Sequence, residues 1–356
     1  MRALTVQPRT PRSLRVDDVP EPEAGPDELL VRGLAVGVCG TDKEIVRGDY
    51  GWAPPGRDRL TLGHESLGRV EHAPDGSGFV AGDLVAGVVR RPDPEPCGAC
   101  AHDEWDMCRN GRYTERGIKE LDGYASELWT VPAHFAVKVA AHLGLTGVLT
   151  EPTSVVAKAW EQVDRIGERA WFEPRTVLVT GAGPIGLLAA LIGVQRGLDV
   201  HVLDRLTDGP KPDLVRDLGA TYHHSSVEDV ARQLCPDVVI EATGVGQLVF
   251  DAIASTGSYG IVCLTGVSSG ARRLQIDARA LNREVVLEND AVVGSVNANL
   301  RHYHLAAAAL AEAEPEWLHR LITTTVPLAE APTAFDRPPG EDVKVVITLD
   351  DSVLAS

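Results

Sequence analysis

The chain has little lysine, few aromatic residues and no long apolar run. No apolar stretch approaches the roughly 20 residues of a membrane-spanning helix, so no membrane partner is expected. The opening MRALTVQPRTPRSLRV lacks the apolar core of a signal peptide, and a cytoplasmic protein is expected. Only six of the 34 bases are lysine, and the rest are arginine. With many alanines and glycines, that balance fits GC-rich coding better than the alternative, adaptation to high salt. Acids number 51 and the formal net charge is −17, which argues against a nucleic-acid partner, because a phosphate backbone needs clustered bases. No internal repeat or low-complexity tract is present. Aromatic residues make up only 5%, yet the apolar fraction of 44% is ordinary for a globular protein.

What is present is more telling. A chain of 356 residues is ample for two domains, each with its own core. Three of the six cysteines, Cys97, Cys100 and Cys108, fall within twelve residues. In a long chain without a signal peptide such a cluster more often binds metal than forms disulfides, which points to a reducing compartment. Up to about residue 155 the chain is rich in Gly, Pro and short β-branched runs (29–39, 66–73, 82–90, 126–132), each bounded by turn residues. Beyond it, apolar strands at 176–181, 199–204, 237–244 and 259–266 alternate with helical patterns at 154–166, 184–196 and 213–220. That alternation predicts βαβ units and a parallel sheet, hence an α/β class. The last sixty or so residues return to a mixed pattern ending in VKVVITL (343–349).

Gly181-Ala-Gly183-Pro184-Ile185-Gly186 is a G-x-G-x-x-G that follows an apolar strand and opens a helix, with Asp204 closing the next strand. This context marks a dinucleotide site. Gly181 permits the turn, Gly183 admits the pyrophosphate, and Gly186 lets helix and strand pack closely. The free N–H groups of the helix start face the phosphates. Asp204 is placed to accept the ribose hydroxyls of NAD and is read as favouring NAD. Arg205 beside it points the other way, to the 2′-phosphate of NADP, or is a solvated loop charge. Thr243, Gly244, Gly266 and Val267 follow buried strands, where ligands bind in open α/β sheets. Cys39-Gly-Thr41-Asp42 and Gly-His64-Glu65 supply three side chains competent for zinc; three protein ligands and an open position describe a catalytic site.

These segments, with LTEPTSVVAKAWE (149–161), YTERGI (113–118), EATGV (241–245) and GSVNAN (294–299), resemble the zinc-containing medium-chain dehydrogenases over the full length of the chain. Within them the resemblance is to the glucose 1-dehydrogenase branch. It implies a Rossmann domain, a doubly wound parallel sheet, at 156–292. It also implies a β-rich GroES-like catalytic domain at 1–155 that is resumed at 293–356. Cys39, His64 and Glu65 are implied as catalytic zinc ligands. Glu151 is implied as a further ligand, direct or through water, or else it is a carboxylate at a helix N-terminus. Asp42 is implied to hold the His64 imidazole, and Thr41 to relay a proton. Cys97, Cys100 and Cys108 resemble a structural zinc lobe that usually has four cysteines. Asp103 stands where the third belongs, so Asp103 or His102 completes the set or the lobe is empty.

Glu115 and Asn297 match sugar-contacting positions, and Arg90 is a weaker candidate. Val296 and Asn297 are expected near the nicotinamide, and Lys344 at the pyrophosphate. The implied reaction oxidises an aldose, most simply glucose, at C1 to the lactone, with hydride passing to NAD or NADP. Another polyol, a cyclitol or a sugar-like biosynthetic intermediate is the alternative substrate. A non-catalytic dinucleotide-binding protein is the alternative class; the retained Cys39, Thr41, His64 and Glu65 argue against it. A homodimer or homotetramer is implied.

Overall fold

Two units share the chain. One comprises Met1–Ser154 and Asn297–Ser356, the other Val155–Val296. The computed structural model describes residues 1–268, 273–338, 340, 342–350 and 353–354.

The first unit is built on the strand Glu28–Val38, whose sequence ELLVRGLAVGV is buried at every residue from Gly33 onward. One edge pairs antiparallel with Glu65–His72. The other edge is divided. Its first half takes Leu128–Pro132 and its second half takes Lys344–Thr348, both antiparallel. Its first half alternates between buried and half-buried residues, whereas Gly33–Val38 is buried on both faces and reads as a continuous apolar run. Register then decides what meets at its end. Gly37 lies opposite Glu65, and Val38 lies opposite Val345, next to Lys344. The strand stops at Cys39, which caps the helix Gly40–Arg47; that helix ends at Gly48 with φ 85°. The core beneath is aliphatic, with Trp105, Trp129, Tyr124 and Tyr303 packed into it.

The second unit is a six-stranded parallel sheet in the order Thr221–His223, Asp199–Leu203, Thr176–Thr180, Val238–Glu241, Ile261–Leu264, Ala291–Gly294. The first of these strands in the chain lies inside the sheet, and the chain winds outward from it first to one side and then to the other. That reversal leaves a crevice at the carboxyl ends, between Thr176–Thr180 and Val238–Glu241. Pro184–Gln195 is apolar on every face, and seven of its residues from Gly186 to Gly193 are buried. Ala291–Gly294 is the sixth strand of this sheet, so the chain re-enters the first unit at Asn297, a few residues later than 293. Among the described residues no helix is long and apolar enough to cross a membrane.

Candidate active site

Cys39 Sγ and His64 Nε2 lie 2.9 Å apart. With a carboxylate oxygen of Glu65 they form a group whose donor atoms all lie within 4.8 Å of one another. The strand register explains the convergence: Cys39 ends one strand, His64 and Glu65 begin its neighbour, and Gly37 stands between. A Cβ on Gly37 would lie 1.9 Å from Glu65 Oε2, so only glycine lets this carboxylate cross the strand. Thiolate, imidazole and carboxylate are the donor types that zinc takes, and three of them leave a coordination position open.

Asp42 sets the histidine. Its Oδ2 accepts the Cys39 N–H at 3.0 Å, and its Oδ1 lies 3.3 Å from His64 Nδ1. Nε2 is thereby left as the atom that faces the metal group, the arrangement a metal-bound histidine needs. Burial opposes charge on both partners, but their mutual attraction outweighs it. Asp42 is held below the usual carboxylate range, and His64 well above its ordinary value. Glu151, at the start of the helix Thr150–Gly167, is also buried. Burial, with Glu65 and Asp42 adding and His64 and Lys344 opposing, pushes its carboxyl up to about 7. It stands near the group but outside the set of three. Thr41 is half-buried, and its backbone N–H donates to Cys39 Sγ at 3.3 Å.

Lys344 departs from expectation. It is 2% exposed, pairs with Glu65 and donates to Val38 O at 3.3 Å. Burial disfavours its charge, but Glu65 and Cys39 outweigh that and raise its pKa. A cation enclosed by the metal-ligating group is not placed to reach a pyrophosphate. Nothing local in the sequence reveals this, because the contact is made by strand pairing.

Arg90 also departs from expectation. Arg90 and Glu115 face each other across paired strands. The Arg90 Nε and Nη2 donate to Glu115 Oε1 at 3.0 and 2.9 Å, and its Nη1 donates to Asp106 O at 2.9 Å. The guanidinium is buried, lies 3.8 Å from the Tyr113 ring centroid and has each nitrogen engaged; it is a support rather than a ligand contact. Asn297, in the left-handed region with φ 62°, donates to the same Glu115 Oε1 at 2.6 Å. Among the described residues every donor to this carboxylate reaches Oε1, which leaves Oε2 as an acceptor.

Sγ atoms of Cys97, Cys100 and Cys108 gather within the same 4.8 Å limit, Cys97 and Cys100 being 3.7 Å apart. The Arg109 N–H, the largest influence on Cys97, lowers that thiol to about 6, whereas burial raises Cys100 to about 11. Asp103 does not join them. It closes a 3-10 turn with φ 58° and is exposed, and the His102 ring Nδ1 donates to Gly98 O at 2.7 Å. The described residues thus offer three ligands here, short of the four that a closed structural zinc site needs.

In the second unit Gly181 turns with φ 94°, and a Cβ on Gly186 would lie 1.8 Å from Gly181 O. A Cβ on Gly183 would meet no protein atom within 4 Å, the open space that a close-lying diphosphate requires. Gly183 starts the helix without a side-chain cap, and Pro184 and Ile185 occupy its first turn, so the N–H groups stay free for an anion. Asp204 accepts the Ala182 N–H at 2.7 Å and the Leu206 N–H at 3.3 Å, with Lys211 Nζ 3.6 Å away; Arg205 is exposed. The carboxylate is therefore partly spent on the loop itself, and bases stand beside it.

Glu241 was not foreseen. Fully buried, it accepts the N–H groups of Thr243 at 2.8 Å and Gly244 at 3.1 Å, and its main-chain oxygen accepts those of Thr265 and Gly266. It organises both loops carrying Thr243–Gly244 and Gly266–Val267. An acid closing an apolar strand was the available signal. Val296 is exposed, and its carbonyl accepts from the buried Lys158 at 2.9 Å.

Residues 25–141 match the alcohol dehydrogenase GroES-like domain, and residues 144–349 match the glucose dehydrogenase C-terminus. A glucose 1-dehydrogenase of Methanocella arvoryzae is 40% identical, and one of Thermoproteus tenax is 42% identical; each comparison covers 98% of this chain and 99% of the relative. Haloferax mediterranei glucose dehydrogenase, solved in complex with NADP, zinc and gluconolactone, superposes with a TM-score of 0.90 at 33% identity, covering 98% of this chain and 99% of that one. Two matched domains, similarity along almost the whole chain and a doubly wound sheet joined to a β-rich unit leave one assignment: this chain belongs to the glucose dehydrogenase family of zinc-containing medium-chain dehydrogenases.

Proposed function

We propose that the protein oxidises an aldose, D-glucose in the first instance, at C1 to its lactone, with hydride transfer to NAD or NADP. The observation that carries this reading is the buried convergence of Cys39, His64 and Glu65 with one position left open. When bound, zinc held by these three residues supplies a Lewis acid that lowers the pKa of a hydroxyl, and the dinucleotide supplies the hydride acceptor.

The chain's own residues do the rest. Asp42 keeps His64 in the tautomer that presents Nε2. The Thr41 hydroxyl relays the proton leaving C1–OH, accepting it while passing its own on toward solvent. The Oε2 of Glu115 accepts a hydroxyl of the sugar, and Asn297 keeps the carboxylate turned that way. Glu151, with its raised pKa, exchanges a proton at neutral pH or completes the ligand set. Gly183 and the helix start at Pro184 hold the pyrophosphate. Asp204 favours the ribose diol of NAD, while Lys211 and Arg205 stand where a 2′-phosphate would find positive charge. We place the reaction in the cytoplasm, in keeping with six cysteines that all remain thiols.

A kinetic panel of aldoses and polyols with NAD and with NADP tests the reading. Glucose or a near epimer should give the highest kcat/KM; sorbitol or a simple alcohol exceeding every aldose by about tenfold would overturn it. We further propose a homodimer or homotetramer. Ala291–Gly294 is an edge strand, and Val286, Leu287 and Val292 near it are exposed. Sedimentation equilibrium should return two or four times 38.0 kDa, and a monomer at micromolar concentration would refute the proposal.

A further inference from the structure

Two side chains that the reaction does not use hold the sugar end of the site from behind. Asp106 lies in the 3-10 turn Trp105–Met107, immediately before Cys108, and is buried. It works through two different atoms. Its main-chain oxygen accepts Arg90 Nη1 at 2.9 Å, and its Oδ1 accepts Asn299 Nδ2 at 2.8 Å. Each bond leads to Glu115 by a separate route. Arg90 clamps Glu115 Oε1 with its two remaining nitrogens and is held against the Tyr113 ring. Asn299 caps the helix Leu300–Glu312, with its own N–H donating to His302 Nδ1 at 3.1 Å, and so anchors the chain two residues after Asn297. Asn297, in its left-handed conformation, closes the loop on Glu115 Oε1.

We propose that Asp106 and Asn299 are positioning residues for the substrate: together they fix Glu115 and Asn297 so that Glu115 Oε2 faces the sugar. Five polar groups, four of them buried and Asn297 half-buried, are joined in one network, and removing one link loosens the others. Asn299 ties the returning segment to Asp106, beside a more exposed bond from Arg301 to Glu104 at 3.3 Å. Without that bond to Asp106 the Asn297 side chain keeps only Glu115 and the neighbouring Ala298 N–H, and Glu115 is held from the Arg90 side alone. The proposal rests on the aldose reading above, because it concerns the sugar's grip and not the metal or the dinucleotide.

Its test separates KM from kcat. Asp106→Ala should raise the KM for glucose about tenfold while leaving kcat and the dinucleotide KM within about threefold of the parent. Asp106→Asn keeps an oxygen for Asn299 and should restore the glucose KM to within about threefold. Asn299→Ser keeps a capping oxygen for the helix but loses the amide donor, and should reproduce the rise seen with Asp106→Ala. If Asp106→Ala does not fold, Asn299→Ser decides the question. An unchanged glucose KM in a folded variant overturns the proposal, as does a uniform loss in all three constants with a lowered Tm, which would mark a merely structural role. A parent enzyme that oxidises no aldose overturns the functional reading and this proposal with it; an active parent with indifferent variants overturns the proposal alone.

Discussion

Cys39→Ala is expected to lower kcat/KM by about a thousandfold and to remove one equivalent of zinc per chain. Lewis-acid stabilisation of a developing alkoxide is worth several kcal/mol, or about three decades of rate. Cys39 contributes the thiolate, and its Sγ also accepts the Thr41 N–H at the start of the helix Gly40–Arg47. Its loss therefore strikes both the metal and the residue proposed to take the proton. The effect should grade with distance from the metal. Asp42→Asn leaves all three ligands in place but weakens the hold on His64 Nδ1, and about 10- to 100-fold is the expected loss. Metal analysis alongside initial rates checks both variants, with circular dichroism to establish the fold. A Cys39→Ala protein that kept a tenth of parental activity would show that this group is not the catalytic centre.

The second large effect concerns two glycines three residues apart that should fail differently. A methyl on Gly186 would lie 1.8 Å from Gly181 O, a backbone atom in the turn itself. Neither the turn nor the helix can yield without losing the pairing of Thr176–Thr180 or the packing of Pro184–Gln195. Gly186→Ala should cost roughly 3 kcal/mol, a fall in Tm of roughly 5–10 °C, and should weaken dinucleotide binding as well. A methyl on Gly183 meets no protein atom within 4 Å and φ there is −83°, so the free protein should melt within about 2 °C of the parent. The space it fills is the one the diphosphate needs, so the Kd for NAD(P)H should still rise about tenfold or more. Thermal melts with and without dinucleotide, and titrations followed by cofactor fluorescence, distinguish the two. Tight binding by Gly183→Ala would show that the diphosphate lies elsewhere.

The glycines were legible because turn chemistry is local, whereas Cys39, His64 and Glu65 were read as zinc-competent side chains and joined into one set only by the family resemblance, since strand register brings them together. A strand that ends in a tight turn before an apolar helix announces itself. Lys344 was misread because its place depends on a strand pairing that no short window contains. Arg90 looked available for substrate only while its partners, Glu115 across a strand pair and the Asp106 carbonyl, were unknown. Asp103 was named by its position in a ligand spacing, yet a left-handed turn carries its carboxylate away from the three thiols. Asp106 and Asn299 carry no motif at all, since their importance is a matter of what they hold.

The late pairing of the strand Lys344–Thr348 has a consequence for synthesis. Its lysine meets Val38 across 306 residues of chain, and the whole second unit is made in between. At about 5–20 residues per second, the Ala35–Val38 half of the central strand waits roughly 15–60 s for its neighbour. During that interval the ribosome carries an open sheet edge that ends at Cys39, while the parallel sheet downstream has already had time to fold.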